Sequence, residues 1–180
     1  MKRELEEYSE LNTMAEEHGI VFFGQNYFKS FPVNEIAYKT GLGEEIFNRS
    51  LENETIGEMS KETDICVNEL NPDKVFLNIG EVDIKTDGFD TDEFISSYEW
   101  LIYNIHMKTR ADIYIVSVIS DSPAANEVNE KLKDLAKDNG VVFIDAGTRQ
   151  GLGLHYLKLF DRLKCYMRRM PITFGEAFSY

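Results

Sequence analysis

Cysteine, histidine and long apolar runs are scarce in this chain of 180 residues, and each scarcity removes a class of function. With two cysteines, Cys66 and Cys165, no disulfide framework is expected. Both fall on apolar helical positions and read as reduced, buried thiols of a cytoplasmic protein. The three histidines, His18, His106 and His155, form no Cys/His cluster with zinc spacing, so no metal is expected. No apolar run approaches the roughly 18 residues of a membrane span. The start, Met1-Lys2-Arg3-Glu4-Leu5-Glu6-Glu7, turns acidic where a secretory signal is apolar, so the sequons at Asn48 and Asn53 are not expected to be glycosylated. Basic residues are few as well, 19 against 32 acidic, for a net charge of −13. A field of that sign repels phosphate backbones and argues against a nucleic-acid partner. The one basic cluster, Arg162, Lys164, Arg168 and Arg169, lies near the end of a predicted helix, where cations complement the dipole without a partner.

What the chain does contain is a regular alternation of strand and helix signals. Residues 3–18 carry Leu5, Tyr8, Leu11, Met14 and Ala15 at helical spacing up to Gly19. The run Ile20-Val21-Phe22-Phe23 predicts a first strand stopped by Gly24, and a weak helix follows Pro32 over Val33–Lys39. Ile46-Phe47 predicts a short second strand, and 55–70 a helix with Ile56, Met59, Cys66, Val67 and Leu70 inward. Val75 to Gly80 is the third strand. A long helix capped by Thr91 or Asp92 follows, with Phe94, Ile95, Tyr98, Leu101, Ile102 and Ile105 on one face. Ile113–Ile119 is the fourth strand, 123–138 a polar helix, Val141–Ile144 the fifth strand, and Leu152 to Met170 the last helix. Strands that are apolar throughout and separated by helices imply a parallel sheet covered on both faces, a three-layer α/β sandwich. A single domain is expected: an N-terminal helix (1–19), a core (20–170) and a tail (171–180).

In such sheets ligands bind beyond the carboxyl ends of the strands. The first loop there is Gly24-Gln25-Asn26-Tyr27-Phe28, the second runs from Asn48 to Thr55, and the third is Gly80-Glu81-Val82-Asp83. The fourth is Ser120-Asp121-Ser122-Pro123 and the fifth Asp145-Ala146-Gly147-Thr148-Arg149. Val21 to Asn26 resembles the first block of the SGNH (GDSL-like) hydrolases, an apolar strand ending in Gly-Asp-Ser. Asn48 to Thr55 resembles their Asn-Arg-Gly-x-x-Gly-Asp-Thr block. Lys74 to Asp83, led in by Asn71-Pro72-Asp73, resembles the strand ending in Gly-x-Asn-Asp. The order and spacing cover roughly residues 20–170, and the resemblance implies strand order 2-1-3-4-5 and a serine esterase ancestry.

The resemblance also names what is missing. It places Asn26 where the nucleophilic serine belongs, and an amide does not ionise into a nucleophile. Asn53 stands for a glycine whose backbone donates to the oxyanion hole, and Val82 for an asparagine whose side chain does. The segment Asp145 to Leu154, which should carry Asp-x-x-His, has no histidine. The nearest imidazole, His155, reads as an amphipathic surface residue or a displaced base, while His18 and His106 sit at helix ends. Because catalytic groups act jointly, ordinary ester hydrolysis is not expected.

The leading expectation is therefore a non-catalytic module binding a small polar ligand, ester- or carbohydrate-like, or a partner. Its pocket would draw on Gly24, Gln25, Asn26, Arg49, Asn53, Gly80, Glu81 and Asp83. The alternative is a rearranged hydrolase using Ser30 or Ser50 with His155 and Asp145. A third reading is a structural subunit whose aromatic tail, Phe174, Phe178 and Tyr180, docks in a homo-oligomer; packing on its own domain is equally open. No cofactor is expected. The acidic run from Asp83 fails the EF-hand pattern, with Lys85 at a ligand position and Phe94 in place of the bidentate Glu. Gly41-Leu42-Gly43 precedes a strand and does not open a helix after one, so it cradles no phosphate, and the first loop lacks the Ser/Thr richness of a flavin phosphate site.

Overall fold

Residues with strand propensity are gathered into five short runs, and a computed structural model, which describes residues 3–147 and 153–168, pairs all five in parallel. They are β1 (Ile20–Gly24), β2 (Ile46–Asn48), β3 (Lys74–Asn78), β4 (Asp112–Val116) and β5 (Val142–Ile144), in the order β2-β1-β3-β4-β5. Register places Ile20 opposite Ile46 on one side and Lys74 on the other, with Val75 opposite Ile113 and Tyr114 opposite Val142.

The helices are α1 (Arg3–Asn12), α2 (Asn26–Lys29), α3 (Val33–Thr40), α4 (Ile56–Met59), α5 (Thr63–Cys66), α6 (Thr91–Lys108), α7 (Pro123–Asp138) and α8 (Leu154–Met167). Alternate strand residues serve opposite layers, as a period of two dictates. Val21, Phe23, Val75, Leu77, Ile113 and Ile115 pack under α1, α4, α5, α6 and α7. Ile20, Phe22, Phe76, Tyr114 and Val116 pack under α2, α3 and α8. On the second face the rings of Phe22, Phe76 and Tyr114 stack in a row across three strands, at 4.9 Å and 4.7 Å.

Several elements differ from the sequence expectation. The first helix stops at Asn12, whose amide instead bonds the Ile65 carbonyl at 2.7 Å, and Met14 beyond it is exposed. The helix expected over 55–70 is broken by 3-10 turns at Ser60–Glu62 and Asn68–Leu70, although Ile56, Met59, Cys66, Val67 and Leu70 are all buried as expected. The short helix α2 carried no sequence signal. Asp90, and neither Thr91 nor Asp92, caps α6, its carboxylate accepting from the Glu93 N–H at 2.8 Å. Two burial expectations are reversed in α8. Cys165 is exposed, because it lies off the face formed by Leu159, Phe160, Leu163 and Met167. His155 is buried, not on the surface, its ring against Tyr27 and Tyr156. Cys66 is buried as expected, and desolvation pushes its thiol up to about 12. Of the basic cluster, Arg162 binds the Asp145 carbonyl and Lys164 pairs with Asp161. Arg169 and the tail carrying Phe174, Phe178 and Tyr180 lie outside the described residues. No helix among the described residues is long and apolar enough to cross a membrane.

Candidate functional site

At the carboxyl edge of the sheet the first three loops are joined by one side chain. Gln25, with no exposed surface, follows β1 directly. Its Oε1 accepts from the backbone N–H groups of Gly80 (2.8 Å) and Val82 (3.0 Å), and its Nε2 donates to the Glu54 carbonyl and to Asp83 Oδ2, both at 2.7 Å. Asp83 uses its other oxygen to accept from the Ile56 N–H at 2.8 Å, at the start of α4. Burial raises the Asp83 carboxyl above the usual carboxylate range, while the donors from Ile56 and Gln25 pull the other way. Glycine is required on either side of this junction. A Cβ on Gly24 would stand 2.6 Å from the Asn78 carbonyl oxygen, and one on Gly80, at φ +134°, would meet Val118 at 2.7 Å.

Asn26 opens α2 at the position the resemblance assigns to the nucleophile, and its amide is held by Asn53. The Asn53 N–H donates to Asn26 Oδ1 at 2.7 Å, and Asn26 Nδ2 donates to Asn53 Oδ1 at 3.1 Å. Asn53 adopts the left-handed conformation, φ +58°, open to glycine and tolerated by asparagine. Asn26 and Asn53, expected from sequence in one pocket, are thus bonded to one another.

Other candidates are placed elsewhere. Arg49 does not line the site: its guanidinium is buried, bonds Asn12 Oδ1 at 3.2–3.3 Å and lies 4.9 Å from the centre of the Tyr8 ring. Desolvation there lowers its pKa. Ser50 is buried with its hydroxyl against the Phe22 carbonyl at 3.4 Å, and its own carbonyl accepts from Tyr8 OH at 2.9 Å. Lys29, which pairs with Glu4 and bonds Tyr8 OH at 2.7 Å, fastens α2 to the same helix α1. Ser30 is exposed at the end of α2, its N–H donated to the Asn26 carbonyl. Asp145 is exposed, accepts from the Gly147 N–H at 2.8 Å and faces Arg162 at 3.8 Å. His155 lies against Tyr27, the residue after Asn26, the ring centroids 5.6 Å apart. The rest of the segment expected to carry a catalytic acid and base, residues 148–152, lies outside the described residues.

Glu81 points to a different place, a polar cleft of about 390 Å³ beyond β3, β4 and β5. There it pairs with Lys85 at 3.0 Å, and Ser120, Asp121, Asn126 and Asp145 form other walls. Asp121 belongs to the fourth loop expected there, whereas Lys85 and Asn126 were not among the residues expected from sequence. The i, i+4 spacing of Glu81 and Lys85 was the one local signal for Lys85. Among the described residues no group of histidine, cysteine and acidic side chains is arranged to hold a metal ion.

No protein-family model matches the chain, and no curated protein matches it in sequence. Solved structures do. A Streptococcus pneumoniae protein provisionally described as a platelet activating factor superposes with a TM-score of 0.80 at 21% identity, covering 93% of this chain and 92% of its own. A provisionally assigned acylhydrolase from Bacteroides fragilis gives 0.77 at 15%, covering 91% and 95%. A GDSL-like lipase from Bacteroides thetaiotaomicron gives 0.77 at 16%, covering 91% and 96%. With its 2-1-3-4-5 parallel sheet, this chain has the SGNH/GDSL-like hydrolase fold.

Proposed function

We propose that this chain is a non-hydrolytic protein on the SGNH-hydrolase fold, kept as a binding module for a small polar ligand. One observation carries the reading: the reciprocal bonds between Asn26 and Asn53. An oxyanion site works by holding donors unfilled until charge develops in the transition state. Here the Asn53 N–H is already donated to Asn26 Oδ1 at 2.7 Å. Val82 has no side-chain donor, and its backbone N–H is taken by Gln25 at 3.0 Å. The Asn26 amide in turn supplies no nucleophile. With those positions closed on themselves, the polar cleft beyond β3, β4 and β5, with Glu81, Lys85, Asp121 and Asn126, is the space offered to a hydroxyl-bearing ligand.

Purified protein is expected to turn over p-nitrophenyl acetate no faster than the buffer blank. Turnover that disappears in Asn26→Ala would overturn the reading. A fluorophosphonate probe tests the rearranged hydrolase, for which the tilted contact of His155 with Tyr27, one residue from Asn26, is the supporting observation. Labelling at Ser30 or Ser50 would support it, and an unlabelled protein removes it.

A further inference from the structure

The opposite edge of the sheet is built differently. His18 leads into β1, Asn71-Pro72-Asp73 into β3 and Thr109-Arg110 into β4, so three segments meet at the amino ends of neighbouring strands. With the last turn of α6 they wall a cavity of about 620 Å³. His18, His106, Lys108 and Arg110 line it together with one carboxylate, Asp73, in a chain of net charge −13. Two of these groups have carboxylate neighbours: His18 lies 3.2 Å from Asp73 Oδ1 and 4.0 Å from Glu17 Oε2, and Lys108 binds Asp64 at 2.6 and 2.8 Å. His106 and Arg110 form no ion pair among the described residues.

The dipole of α6 explains cations in its last turn, His106 and Lys108. It does not explain Arg110, which lies past the helix, or His18, which comes from another segment. The backbone is unusual at the same place. His18 (φ +72°) and Asn71 (φ +42°) are both left-handed, and the His18 N–H donates to the Asn71 carbonyl at 3.2 Å. Asparagine and histidine are both among the non-glycine residues found there more often than most, and each is held there at a cost of about 1–2 kcal/mol. His18 in this conformation lines the same cavity as Arg110.

We propose that this cavity binds a small organic anion. The guanidinium fork of Arg110 and the His106 ring hold its carboxylate or phosphate oxygens, and Pro72 and Met107 give its body an apolar rest. The fork presents paired N–H donors in the plane that either oxyanion accepts. The space also exceeds what a bare inorganic ion fills, which favours an organic molecule. This site lies across the sheet from Asn26 and stands independently of the binding role proposed above.

Inorganic phosphate and citrate, titrated at constant ionic strength into ¹⁵N-labelled full-length protein, are the probes. Both are expected to shift the amides of His18, Asp73 and residues 106–110 saturably, citrate at the lower concentration. Arg110→Gln is expected to weaken citrate binding by about tenfold, His106→Gln less, and Lys158→Gln, the same charge change on an exposed part of α8, not at all. All three variants alter exposed side chains, so folding is expected to survive. Absence of saturable shifts at this edge with either anion overturns the proposal. So does binding that Arg110→Gln and Lys158→Gln weaken equally, which would mark a response to overall charge.

Discussion

The two edges of the sheet treat their polar groups in opposite ways. At the carboxyl edge, Gln25, Asn26, Asn53 and Asp83 are bonded to one another or to the backbone of neighbouring loops, so the place where this fold usually works is occupied by its own side chains. At the amino edge, His106 and Arg110 carry no ion pair among the described residues and face a cavity. The contrast teaches that residue identity at a site matters less than where its hydrogen bonds already go. A cluster of polar residues can be a structural junction, and a charged rim at the unused end of a fold can be the surface left open.

The most severe way to break this contrast is Gln25→Ala. The substitution leaves the Gly80 and Val82 N–H groups, the Glu54 carbonyl and one Asp83 oxygen without their partner in a buried junction. A loss of about 3–5 kcal/mol is expected by urea denaturation, since each buried group left unsatisfied costs about 1–3 kcal/mol and water entering the space recovers part. A loss below about 1 kcal/mol would mean that the three loops are joined by something other than this amide.

Asp83 sharpens the same comparison through pH. Its folded pKa is raised, chiefly by burial, above the ordinary value of 3.8. Between the two values the folded chain therefore binds more protons than the unfolded chain. The resulting stability is fully present below the ordinary value and lost as pH rises through the folded one. Asp83→Asn removes that titration. In either amide orientation its NH2 meets a donor, Ile56 N–H or Gln25 Nε2, so a loss of about 1–3 kcal/mol accompanies it. Stability curves of the two proteins are expected to converge as pH rises from 3.8. Parallel curves would show that Asp83 titrates normally.

Most of the fold was legible because it rests on local periodicity. Helix α7 begins and ends where the sequence places it, at 123 and 138, and the core residues of 55–70 are buried although the helix itself is broken. The first helix was overextended because Leu11, Met14 and Ala15 continue the helical spacing, while the chain turns where Asn12 finds partners in Ile65 and Arg49. Those contacts span 53 and 37 residues and leave no trace in a local window. The site was legible only as a set of loops. Strand ends placed Gln25, Asn26, Asn53 and Asp83 together. Which amide bonds which depends on segments 27 to 58 residues apart. Arg49 was misplaced for a related reason: its position in the second loop is as expected, but its side chain turns back onto the aromatic ring of Tyr8 in α1.

The smallest expected effect separates side chain from backbone in the sealed site. Asn53→Gly removes the acceptor for Asn26 Nδ2 but keeps the N–H that donates to Asn26 Oδ1, and it relaxes the residue at φ +58°. Those terms oppose each other, so stability is expected to stay within about 0.5 kcal/mol of the parent. Asn53→Ala loses the same acceptor and adds the penalty of a left-handed Cβ without a local hydrogen bond, for a loss of about 1–2 kcal/mol. If the two variants lose equally, the left-handed turn is not what places this N–H against Asn26. The seal then depends on the amide–amide contact itself, and the carboxyl edge is a weaker junction than its bond pattern implies.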